Sequence, residues 1–148
     1  MRIMQTLLTI LLLSTTTLSV AQSVDIDDPR ANLQAIRMGL YPPDLIMRHQ
    51  EALGISADQR KAMLKLVRQF QDDVAELQWD LQHEQQLMRA DLARDSLDEA
   101  AVMPRVERVL QMESEFKLAH LKLLIAIKNT LTAEQIAMIK QRIRQRRS

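Results

Sequence analysis

The sequence predicts an all-α protein: four helices, with a long antiparallel helical hairpin, short helices at its N- and C-terminal ends, and a dimer formed on the apolar surface left over. Three observations lead there. The chain has two glycines in 148 residues and 3% aromatic residues, against 47% hydrophobic content, which disfavours a sheet with tight turns and favours long helices. Helix-starting phrases occur three times, as Ser56 to Gln59, Ser96 to Glu99 and Thr132 to Gln135, the first and last embedded in the near-identical ISADQ and LTAEQ. Between them, apolar residues recur in alternating steps of four and three.

Residues 1–21 read as a secretory signal peptide. Arg2 supplies the charged start, Leu7 to Leu13 a short apolar run, and Ser19-Val20-Ala21 the small residues before a cut after Ala21. The alternative is an uncleaved anchor, which so short a run, threaded with Thr, could not make by crossing about 30 Å of hydrocarbon. A signal peptide predicts export of the mature chain. Residues 22–39 read as a flexible leader and 40–148 as one helical domain. Pro42-Pro43 opens a short helix, Asp44 to Leu53, that Gly54 ends, since Pro suits a first turn and Gly the position after the last.

In a capping box, a Ser or Thr accepts from the backbone N–H three residues on, and a Gln or Glu there reaches back to the cap's own N–H. The boxes therefore start helices at about Ala57 to Arg94, about Leu97 to Asn129, and Ala133 to about Arg146. In the last, Leu131 and Ile136 add a hydrophobic staple. Met63, Val67, Phe70, Val74, Leu77 and Leu81 form the seam of the first arm. Val102, Val106, Val109, Glu113, Phe116, His120, Leu123 and Ile127 form that of the second. Asp95-Ser96 is too short for anything but a hairpin turn. Pro104 removes a backbone donor, so a kink or restart is expected near Val102. Leu118, Leu121, Leu124 and Ile125 lie off the seam and need cover from the end helices or from a second copy, which predicts a homodimer. Glu84 and Glu113, on the seam, are expected to fix register by pairing with Arg108 and His83 or with polar groups across a dimer.

Charge divides unevenly. Residues 22–115 hold 11 Lys or Arg against 18 Asp or Glu, and residues 116–148 hold 8 against 1, a pattern that favours head-to-tail contact with a copy or another charged partner. With no cysteine, neither a disulfide nor a thiolate metal site is available. Three scattered His and no Gly-rich phosphate loop leave nothing from which to build catalysis, so no enzyme activity is expected. Nucleic acid is disfavoured as a partner by export and by the lack of an aromatic-studded basic face.

LYPPDLIMRHQEALG (Leu40 to Gly54), ISADQR, LQWDLQ (Leu77 to Gln82) and Ile127-Lys128-Asn129-Thr130 running into LTAEQ follow one another in order. On these phrases, over about residues 40 to 140, the chain resembles the periplasmic Spy/CpxP (LTxxQ) and heavy-metal-resistance superfamily, which includes the CnrX and ZraP sensors. The resemblance implies a four-helix protomer paired as a curved antiparallel dimer. It also implies a non-enzymatic role in metal resistance or envelope stress. Members either bind transition metals and report to a membrane sensor protein, or hold unfolded envelope proteins without ATP; an inhibitory partner of a sensor kinase is a further option. The cobalt and nickel ligand set of the family is not carried over, because its first-helix His pair, its Glu and its Met fall on Ile46, Gln50, Val67 and Ile127.

A different metal site, for Zn, Cu or Ni, could draw on His49, His120, Asp73 and Glu76. The alternative is that His120 is a seam residue bonded to a neighbouring acid and His49 is partly solvated. Trp79, on the outer face among acids, suits either a covering partner or packing beneath an end helix. The basic end, Lys140 to Arg147, either complements a helix dipole or docks on an acidic sensor domain or anionic lipid.

Overall fold

The computed structural model describes residues 29–145, so the signal segment expected at 1–21 lies outside the described residues. It is all-helical, with five helices rather than the expected four: α1 (Pro29–Arg37), α2 (Pro43–Arg48), α3 (Ala57–Leu92), α4 (Glu99–Asn129) and α5 (Ala133–Gln145). Among the described residues there is no strand, and no helix is long and apolar enough to cross a membrane.

The additional helix is α1, which falls in the stretch 22–39 expected to be a flexible leader. Ala31, Asn32, Ala35 and Ile36 recur at helical spacing and are half-buried or buried, Ala35 fully, so this segment has a packing face after all. The short helix α2 stops at Arg48 instead of Leu53. Beyond it the chain tightens into turns closed by three-residue bonds, such as Gln50 N–H to Met47 O and Gly54 N–H to Glu51 O. Gly54, at φ +61°, then takes the left-handed conformation that redirects the chain into α3.

Helices α3 and α4 pack against each other. The seam residues are the ones inside: Met63, Phe70, Val74 and Leu81 of α3, and Val109, Phe116, Leu123 and Ile127 of α4, are all buried. Phe70 meets Phe116 edge-on, with ring centroids 5.8 Å apart. At the end near the chain's other helices, Tyr41, Ile46, Leu53, Leu131 and Ile139 join this core. Towards the opposite end of α3 the contacts are polar. Arg105 donates to Glu84 and Asp91, each at 2.8 Å, and Gln85 donates to Glu113 at 3.1 Å. Glu84 thus pairs with Arg105 and, at 3.5 Å, with the expected Arg108, while Glu113 accepts from Gln85 and not from His83, which is exposed.

Two further expectations change at the start of α4. The cap is Asp98, whose side chain accepts from Ala100 N–H at 3.1 Å; the Ser96 to Glu99 box is not used and the helix begins two residues late. Asp is as good a cap as Ser, and shifting the start to it leaves Asp95 to Leu97 free to make the turn. The helix also runs through Pro104 without a restart. Pro104 sits near the N-terminus, and the carbonyl it deprives of a partner belongs to exposed Ala100, which water can satisfy.

Candidate functional site

The two copies of the starting phrase do more than start helices. Ser56 Oγ accepts from Gln59 N–H at 3.1 Å and Gln59 Oε1 accepts from Ser56 N–H at 3.0 Å. Thr132 and Gln135 repeat the arrangement, at 3.2 and 2.9 Å. The two Gln amides then clasp each other across 76 positions of sequence. Gln59 Nε2 donates to Gln135 Oε1 at 2.8 Å and Gln135 Nε2 donates to Gln59 Oε1 at 3.0 Å. Each remaining amide hydrogen goes to the carbonyl two residues before the other box's cap: Gln59 to Thr130 O at 2.8 Å, Gln135 to Gly54 O at 3.3 Å. Both donors and both acceptor positions of each amide are in use, related by a local two-fold. That completeness permits burial; Gln135 is 6% exposed, the one buried polar residue among those described. Leu131, buried beside it, and half-buried Ile136 occupy the staple positions.

The clasp fixes where α3, α4 and α5 meet, and with it a surface groove between α3 and α4. This groove, of about 520 Å³, has an apolar floor that includes Leu66, Phe70, Leu118 and Leu123, with Asp73, Glu115 and Lys122 on its rim. Leu118 is 57% exposed, and Ile125, one heptad further on, 50%. An apolar floor with polar edges can take up an apolar side chain or short segment without burying a charge. Of the four residues expected to form a partner surface on α4, Leu118 and Ile125 are exposed and Leu121 is half-buried. Leu124, at 1%, is instead consumed in the chain's own interior and has nothing to offer a partner. Trp79 is 76% exposed, so no end helix of the same chain lies over it.

The four candidate metal ligands are not brought together. His49 caps the C-terminal end of α2 and sits in a small pocket with Leu45, Leu53, Ile139 and Ile143. His120 packs against the Phe70 ring, at 5.9 Å between centroids, its Nε2 buried without a hydrogen-bond partner; burial holds its pKa below the ordinary 6.5. Asp73 and Glu76 are exposed on α3. Among the described residues no three His, Asp or Glu side chains converge as a cation would require. The physical reason is that His120 faces inward from the seam while the two acids face outward from theirs. The acid expected to bond His120 is likewise missing; its neighbour is an aromatic ring.

What sequence reading missed is the clasp itself, since each box was read as a local device. The signal was present in the matching Gln of both phrases. In comparisons with known proteins, the chain matches no family model, no curated protein and no solved structure.

Proposed function

We propose that the chain is a non-enzymatic periplasmic accessory protein of envelope stress or heavy-metal resistance, built as an antiparallel helical hairpin that pairs with a second copy and acts by binding. Of the mechanisms that the likeness to the Spy/CpxP and metal-sensor proteins raises, ATP-independent holding of unfolded envelope proteins has the better support. The observation that carries this reading is the apolar groove with Leu118 and Ile125 exposed beside it. Side chains of that size left open to water give a non-native client something to bind, and the rim acids and Lys122 keep the surface soluble. The metal-responsive alternative lacks a comparable support, because its candidate ligands point different ways.

A second reading, an inhibitory partner of an acidic sensor domain, draws on α5, where Lys140 is exposed and has no ion pair among the described residues. The deciding experiment is suppression of aggregation of a chemically denatured client by the purified chain at stoichiometric amounts. Replacing Leu118 and Ile125 by Ser should reduce suppression several-fold while leaving helicity intact. Equal suppression by the variant, or none by the parent chain, would remove the holding reading.

A further inference from the structure

The outward stripe of α3 carries its charges in two blocks of opposite sign. Opposite the buried seam, Lys61, Lys65, Arg68, Asp72, Glu76 and Trp79 follow at steps of four, three, four, four and three, and all six are exposed. The first half of the stripe is positive and the second half negative. Among the described residues none of these charges forms an ion pair, although Arg68 and Asp72 stand one turn apart. By contrast, Arg94, Arg105 and Arg108, near the other end of α3, are all paired with acids.

A two-fold contact between antiparallel copies of one helix requires that facing residue numbers add to a constant, because residue i meets j and j meets i. The stripe obeys this about a centre between Phe70 and Gln71. Arg68 falls opposite Asp72 and Asp73, Lys65 opposite Glu76, and Lys61 opposite Asp80 and Trp79. Each charge of the stripe then meets its opposite and none meets its like. Trp79 comes under a Lys, the geometry of a cation–π contact, and loses the exposure that none of the described residues relieves.

We infer that this stripe is the self-complementary interface of an antiparallel homodimer, centred at residues 70 and 71 of both copies. This rests on the homodimer of the proposed function and gives it a surface and a register. The account differs from an interface at Leu118 and Ile125, which stay open for a client. Residues 60–80 span only about 30 Å of helix, a contact smaller than a standard interface, so the dimer is one that dilution and salt take apart.

The test uses two variants of the cysteine-free chain followed by sedimentation velocity at ~50 mM and ~1 M salt. One carries Lys65→Glu and Arg68→Glu, leaving Lys61 as the stripe's one cation; the other carries Asp72→Lys and Glu76→Lys, which leaves the six-residue stripe no acid. Each should self-associate at least tenfold more weakly than the parent, and an equimolar mixture should form a salt-sensitive heterodimer, which a variant that merely failed to fold would not do. Emission of Trp79, the single tryptophan, should shift to the blue as dimer forms. Spin labels on cysteines placed singly at Gln71 and Gln86 fix the register, since each residue of displacement from the centre adds about 3 Å between copies. The Gln71 labels should lie close together and the Gln86 labels roughly 47 Å apart. A parent chain that is monomeric at low salt, variants that dimerise as the parent does, a mixture that stays monomeric, binding to anionic vesicles in place of self-association, or the reverse order of label distances would each overturn the inference. Assembly is read here without any client, so the holding reading and this interface can fail separately.

Discussion

The two ends of the α3–α4 pair are held by opposite kinds of chemistry. At one end, Gln59 and Gln135 join two helix starts through neutral amides, largely out of water and surrounded by Tyr41, Ile46, Leu53, Leu131 and Ile139. At the other, Arg105 links Glu84 to Asp91 through ion pairs whose partners are 14% to 32% exposed. A buried neutral amide draws its strength from having no alternative partner, since any bond lost leaves an unsatisfied group behind. Partly exposed ions keep water as an alternative and are screened by salt. One end of the molecule should therefore behave as a fixed joint and the other as an adjustable one.

The largest effect expected from breaking this contrast is at Gln135. Its replacement by Ala removes the returning half of a capping box and both clasp bonds and leaves Gly54 O and Thr132 N–H without their partner, for a loss of roughly 2–4 kcal/mol in chemical denaturation. Salt should hardly alter that loss. Arg105→Ala should cost less, and the difference from the parent should shrink between ~50 mM and ~1 M salt. Hydrogen bonds from the guanidinium to Asp91 and Glu84 hold the Arg105 pKa above its ordinary value, so it stays charged and salt is the variable that weakens its pairs at neutral pH. If Arg105→Ala were the more damaging of the two, or its cost were indifferent to salt, the contrast would be drawn the wrong way round.

A smaller effect sharpens the picture of the joint between them. His120 has its pKa lowered by burial, so below the unfolded value of 6.5 the unfolded chain binds more protons than the folded one. Stability from this group is complete above that pH and falls as pH drops through 6.5 towards the lower folded value. His120→Phe, which keeps a ring against Phe70, should flatten the fall in denaturation midpoints over this window. An unchanged pH profile would mean that His120 is hydrated in solution.

The long helices were legible in the sequence because their signals are local or periodic. Met63 to Leu81 and Val109 to Ile127 alternate by four and three, and burial follows that alternation. Ser56 and Thr132 were readable as caps for the same reason. The third box was misleading because Ser96 and Asp98 both qualify as caps, and the choice between them belongs to the turn and not to the phrase. Helix α1 was missed because two alanines give a weak apolar pattern, and Ala35 is buried only in the presence of the rest of the chain. The candidate metal site failed at a similar point: residue type could group His120 with Asp73 and Glu76, but not tell that the first faces in and the others out. The clasp needed the one fact that sequence periodicity cannot carry, namely that two helix starts far apart in the chain are neighbours in space.

The central claim is that the two phrases work as one unit, and a double-mutant cycle at Gln59 and Gln135 tests it most directly. Gln59→Ala, Gln135→Ala and the double variant are compared by chemical denaturation of the full chain. If the amides clasp, the double variant loses less than the two singles together, with a coupling on the order of 1 kcal/mol or more. Losses that add to within about 0.5 kcal/mol would show two independent caps and contradict the account.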